Sequence, residues 1–562
     1  MRSNLFLNQG MLKGKAKLNA LAGASISGDS ILYGWDLSLS GWTQWSGRLS
    51  VGNASVIENF PGATIDLTDG AVCTFHYISG PYNPDQQKRT LNNSGTINAI
   101  SNGVVTLDIV LNNRGTINVG SGTLALADGG EISGPINLAN GATLSFENSN
   151  LPTGPGTAGP NYLFTSTSSI SGIGSVRFNS YSNPVTIGGT YDISGTTTVL
   201  QSVNFISPIT SLGSSLVVNG QFAMCDLGSN SVEVNTLNLR KGAITGSGTI
   251  TVAGPIEWNE GAMQGAGTII AQNGVFFNGS SAFGALDRTL NCYGSSWVQT
   301  TAPYNGNLNF GLHANLNVMP GATFNGSGLA ISGSSTGGIN GAFTNYGTLV
   351  IDDPGVNRGM GIFGTAFINE GTIQITNSKL DPRRGDGQPR FIQNAGSVQL
   401  RNGTLACDDG IISGGSLVGF GTVWGLASNG LIAPSGGVLT FYHLSLLSNS
   451  VLAYELNGTQ PGISFGQIVT PSTAIIGGVL QVTLSAAFQS QVQSSDTFTI
   501  LAAQNIAGQF TNVASGARLD TADGSGSFLV TYSGPQIILS KFLPATSRGG
   551  FDDSIRSPSP RL

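Results

Sequence analysis

The chain has 562 residues, of which 82 are Gly and only 9% are Asp, Glu, Lys or Arg, against a usual charged share of about 25%. With 40% hydrophobic residues and a net charge of -6, it carries too much apolar surface and too little self-repulsion to stay a disordered polyelectrolyte. Its 23 Lys and Arg are scattered too thinly to neutralise phosphates, so no nucleic-acid partner is expected, and no apolar run reaches the roughly 18 residues that a membrane span needs.

At the start of the chain, Arg2, Lys13, Lys15 and Lys17 precede residues 18–26 in the basic-then-apolar order of a signal peptide, but Asn19 and Gly23 interrupt the apolar part. Phe6-Leu7-Asn8-Gln9-Gly10-Met11-Leu12 instead introduces a motif of the form apolar-x-Asn-x-Gly-(Thr/Ser)-apolar. The chain is therefore expected to enter in mid-repeat, with any export signal lying upstream. The motif returns around Asn93 and Gly95, Asn113 and Gly115, Asn345 and Gly347, Asn369 and Gly371, and more loosely Asn394 and Gly396. Within these groups the Asn-to-Asn steps are 20, 24 and 25 residues.

Such a period is too short for a domain and suits one coil of a solenoid, which buries its apolar face only by stacking on neighbours. After each Gly the sequence alternates apolar and polar, as in Thr116-Ile117-Asn118-Val119 and Thr372-Ile373-Gln374-Ile375, which predicts short strands. The Asn-x-Gly corners supply residues that tolerate positive φ, and Asn can hydrogen-bond to its counterpart in the next coil. Helical spacing is nearly absent. A longer period lies above the coils: the block from Gly122 to Gly130 parallels the block from Gly403 to Gly410, giving two supermodules at about 30–150 and 255–435, joined by strands around Tyr191 to Val199.

The Asn-x-Gly-Thr coils, the Trp258-Asn259-Glu260-Gly261 element and the Gly-Thr-Leu blocks resemble the passenger regions of bacterial autotransporter-like and adhesin-like surface proteins over most of residues 5–440. The resemblance implies an all-β, right-handed parallel β-helix over residues 1–438. Alternating strands from Val451 to Tyr532 are similar to the β-rich, sandwich-like module that closes such passengers, here residues 439–542. The polar, Pro-containing stretch 543–562 reads as a disordered tail.

Chemistry is sparse. Cys73, Cys225, Cys292 and Cys407 lie 152, 67 and 115 residues apart, with no metal-ligand spacing. In coils stacked about 4.8 Å apart they sit too far from one another to form disulfides. His76, His313 and His443 are scattered, and no cofactor is expected. Two charged stretches run into Asn-x-Gly coils: residues 81–89 (PYNPDQQKR) and 379–390 (KLDPRRGDGQPR). The second supplies the candidate contact residues Lys379, Asp381, Arg383, Arg384, Asp386 and Arg390, since loops on a rigid scaffold are where binding concentrates. Arg384-Gly385-Asp386 matches an integrin-recognition tripeptide, a very weak signal.

Asp352 and Asp353, with Arg358 near, and Asp408 with Asp409 are the carboxylate pairs to weigh for polysaccharide cleavage, but neighbours on a strand face opposite ways. Thr196-Thr197-Thr198 is local, so a periodic threonine ladder for ice is not indicated. The expectation is a non-catalytic, extracellular or cell-surface structural or adhesive rod whose partners are surface polysaccharide or a neighbouring cell surface. The alternative is a polysaccharide-acting lyase or glycosidase, for which an acidic groove with paired carboxylates would speak. The oligomeric state is left open.

Overall fold

The computed structural model describes residues 4–76, 89–148, 161–181, 184–279, 282–299, 306–333, 341–352, 359–383 and 391–545. It is all-β, with 67% strand and 1% helix, and forms a parallel β-solenoid of about 19 turns. Two compact units divide the chain, Met1–Cys292 and Tyr293–Leu562.

In the first unit a coil consists of short strands joined by tight corners. Arg89–Asn93 pairs in parallel with Val110–Asn113, and Thr96–Leu107 pairs with Thr116–Leu126. Because side chains alternate across a strand, every second residue points inward and meets its equivalent one coil away. Ile65, Ile97, Ile117, Ile136 and Ile170 follow one another in register and are all fully buried. In another column Leu107 and Leu126 are followed by rings: Phe146 stacks on Phe178 with centroids 5.3 Å apart and planes 6° apart.

The second unit repeats this logic with a phenylalanine column, Phe343 stacking on Phe367 at 5.3 Å and Phe367 meeting Phe391 at 5.6 Å. Residue 438 is not a break in its ladder. Leu431–Leu446 pairs in parallel with Gln467–Ile476, which pairs in parallel with Thr497–Gly508. Antiparallel pairing begins only where Thr497–Gly508 meets Gln536–Pro544, joined by Gly526–Ser533 and Arg518–Asp520. This end has its own aromatic core: Phe498 meets Phe465, Phe488 of the short helix Ala486–Gln489, and Phe528, with centroids 5.5 to 6.1 Å apart. Of the stretch expected to be disordered, Leu543 and Pro544 complete a strand, and residues 546–562 lie outside the described residues.

The corners work differently from the sequence expectation. Gly10 and Gly396 have positive φ, +119° and +68°, but Gly95, Gly115, Gly347 and Gly371 do not. What requires glycine at these four is close approach: a Cβ on Gly115 would stand 2.0 Å from Gly95 O, and one on Gly371 would stand 2.2 Å from Gly347 O. Beside them the buried Asn side chains form ladders. Asn59 Nδ2 donates to Asn93 Oδ1 and Asn93 Nδ2 to Asn113 Oδ1, both at 2.6 Å. Asn345 Nδ2 donates to Asn369 Oδ1 at 2.8 Å, and Asn369 Nδ2 to Gln393 Oε1 at 3.2 Å.

Two residues assigned to this corner stand elsewhere. Asn369 is in register with Gln393, so Asn394 lies one residue beyond the ladder and donates to Glu370 Oε1 from the exposed side. The corner there contains one extra residue, which the positive φ of Gly396 accommodates. Asn8 follows Leu5–Leu7, which pairs with the strand Gly23–Ile26, a different side of the coil; it is exposed and accepts from Ser27 Oγ at 3.3 Å.

Candidate functional site

Only part of the charged stretch 379–390 falls within the described residues. Lys379 and Asp381 lie on the strand Lys379–Arg383, and Arg383 ends it; Arg384, Asp386 and Arg390, and with them the Arg-Gly-Asp tripeptide, lie outside the described residues. Asp381 is buried, and Lys379 Nζ stands 2.8 Å from Asp381 Oδ2. The same ammonium lies over the ring of Trp424, 4.8 Å from its centroid, so the strand Lys379–Arg383 is pinned to a later coil by a cation–π contact.

Trp424 is the entrance to a cleft. It belongs to Ser416–Ser428, whose residues Val423 and Gly425 are in register with Phe441 and His443 of Leu431–Leu446. Val423 and Phe441 point inward and are fully buried, so the next residues, Trp424 and Tyr442, project outward one coil apart. Their rings meet edge to face at 6.4 Å, and Tyr442 is 48% exposed.

Gly425 then leaves a gap. A Cβ there would lie 2.1 Å from Asp408 O, because the Gly425 amide donates to Cys407 O at 2.7 Å and draws the two coils together. With no side chain at 425, Asp408 and Asp409 on one side and His443 on the other border an open hollow of about 700 Å³, floored by Leu426, Leu444 and Ile475 among others. It adjoins a second hollow of about 500 Å³ between the same three residues, Trp424 and Tyr442. Both volumes fall in the range of about 300–1,000 Å³ usual for small-ligand sites.

Asp408 and Asp409 correct one sequence inference. They sit in a bend between strands rather than on one, so the rule that neighbours face opposite ways does not hold, and both residues are exposed and border the same cleft. In the other weighed pair Asp352 ends a strand, while Asp353 and Arg358 lie outside the described residues. The stretch 81–89 is also instructive. Residues 81–88 are outside the described residues, but Arg89 is almost wholly buried, with Nη2 2.8 Å from Asp108 and 3.2 Å from Asp128.

Trp424 and Tyr442 do not stand out in the sequence, and His443 reads there only as one of three scattered histidines. The available signal was a pair of aromatic residues 18 positions apart, each directly after an inward-facing apolar residue.

Elsewhere, a hollow of about 700 Å³ in the first unit is lined by Phe222, Met224, Lys241, Glu260 and a run of Gly and Ala, with Lys241 and Glu260 paired at 3.7 Å. Among the described residues no group of three or more His, Cys, Asp or Glu could hold a metal ion. All four cysteines are buried, and burial pushes the Cys73, Cys225 and Cys407 thiols up to about 12. They are structural hydrophobes rather than nucleophiles. The chain matches no family model and no curated protein.

Proposed function

We propose that the chain is a non-catalytic structural and adhesive solenoid of the autotransporter-passenger type, working outside the cell or at its surface, with surface polysaccharide as its partner. The observation that carries this reading is the open cleft at Trp424, Tyr442, His443, Asp408 and Asp409, held by backbone contacts between successive coils and bordered by Lys379. Exposed rings and polar groups on a rigid sheet are suited to holding a polymer laid across them. The stacking that builds the coils supports a structural role, since each coil depends on its neighbours for its core.

A second reading, a polysaccharide lyase or glycosidase, is favoured by the two carboxylates and the imidazole in one cleft. Glycoside hydrolysis, however, needs two carboxyl groups flanking the scissile bond about 5 to 9.5 Å apart. Asp408 and Asp409 come from a single bend, and the residue across Gly425 is a histidine. The test is a screen of the purified chain on immobilised plant and microbial polysaccharides, scoring retention and released sugar or unsaturated ends together. Retention without release is expected. Release would establish the second reading, and an absence of both would overturn adhesion to polysaccharide.

A further inference from the structure

The geometry points to a specific ligand class for this cleft: we propose that it is a subsite for an uncharged hexopyranose chain, with one sugar ring stacked on Tyr442 beside Trp424 and its hydroxyls donated to Asp408 and Asp409. This deepens, and rests on, the adhesive reading above.

The rings divide the work. One face of Trp424 is occupied by Lys379, whose ammonium is itself held by Asp381, so Trp424 is fixed in place. Tyr442, set edge to face against Trp424 and about half exposed, is the ring available for stacking. An aromatic face is electron-rich, and the C–H-bearing face of a pyranose is its electropositive complement. Such contact buries apolar sugar surface without requiring charge.

The polar groups define what is excluded. An ionised carboxylate only accepts hydrogen bonds, so Asp408 and Asp409 match the hydroxyl donors of a sugar, while His443 on the opposite side can donate or accept. Bonds to a charged acceptor are among the stronger ones. The same two carboxylates repel a uronate, and the Lys379 cation is already engaged by Asp381. The absent side chain at Gly425 is what admits the sugar between the acidic wall and His443, and the backbone of Asp408 keeps that position closed to any larger residue.

The test is calorimetric titration of the full chain with hexasaccharides of glucose, mannose and galactose, and with polygalacturonate as the anionic probe. Variants Tyr442→Ala and Asp408→Asn/Asp409→Asn are compared with Tyr181→Ala, an exposed tyrosine remote from the cleft in sequence. Melting temperatures confirm that each variant is folded. At least one neutral hexasaccharide is expected to bind, with affinity about tenfold lower in each cleft variant, corresponding to the loss of a stacking contact or a charge-assisted bond, and unchanged in Tyr181→Ala.

Neutral binding that the cleft variants leave intact would overturn the subsite while preserving the adhesive reading. Failure of every neutral hexasaccharide, with polysaccharide retention in the screen still positive, would do the same. Tighter binding of polygalacturonate than of any neutral hexasaccharide would also refute the ligand class. Failure in both experiments would overturn the subsite and the adhesive reading together.

Discussion

At Gly115 and Gly371 a single hydrogen in place of a methyl group lets one corner lie directly on the next. The neighbouring asparagines use that closeness. Each amide in a ladder donates to the one ahead, which leaves the oxygen at the head without a donor, and Asn59 Oδ1 and Asn345 Oδ1 are buried without a partner. Outer rows run in the opposite direction and end on acids: Asn112 donates to Asn92 and Asn92 to Glu58, and Asn118 donates to Asn98 and Asn98 to Asp66. A half-buried row keeps its acid in touch with water, which a fully buried row does not. Asn93→Ala removes a middle rung: Asn113 Oδ1 loses its donor and Asn59 Nδ2 keeps only Thr96 O at 3.2 Å, so a loss of about 1–3 kcal/mol is expected, read as a lower urea midpoint than that of the exposed control Asn394→Ala. The raised thiols make a second expectation. At pH 8 a thiol reagent should label none of the four cysteines in the folded chain and all four in denaturant; rapid labelling of the folded chain would contradict the buried core.

The strand Arg89–Asn93 shows how far an element could be read from its letters. Leu91 and Asn93 face inward, and by strict alternation so does Arg89, although the stretch 81–89 stands out in the sequence only by its charge. Its partners come from later coils: Asp108 stands 19 residues on, and Asp128 one coil further. Composition reports charge but not which face carries it, and only the alternation parity would have revealed the buried cluster. Arg89→Ala leaves two acidic groups in the interior and is expected to cost about 3–5 kcal/mol, seen as a fall in melting temperature. Adding Asp108→Asn to that variant should restore part of the loss; a further fall would argue against charge burial as the cause. The cleft was less legible for a related reason. The periodic apolar residues announced the coil, whereas Trp424, Tyr442 and Asp409 belong together only through the stacking register, which depends on where Gly425 lets the chain pinch.

Across the molecule, the repeat period identified the fold, but not where stacking gives way to a different arrangement. Alternation looks the same in parallel and antiparallel strands, so residue 438 carried no information on the switch, which falls at Thr497–Gly508. That strand closes the last coil on one side and receives Gln536–Pro544 in antiparallel register, covering an edge that would otherwise pair with another chain. A chain ending at Gly508 is therefore expected to form larger species than the full chain by size-exclusion chromatography with light scattering; equal sizes would show that the edge needs no cover. The register has one more consequence, for the order in which the structure can be made. Asn93 meets Asn113 only 20 residues later, and Phe343 meets Phe367 after a similar interval, so each new coil closes a short loop onto a surface already in place. The entropic cost of closure is then nearly the same for every coil and does not grow with chain length. A polypeptide delivered from one end, whether from a ribosome or through a narrow channel, can add its coils one at a time in the order they arrive, each finished turn acting as the template for the next.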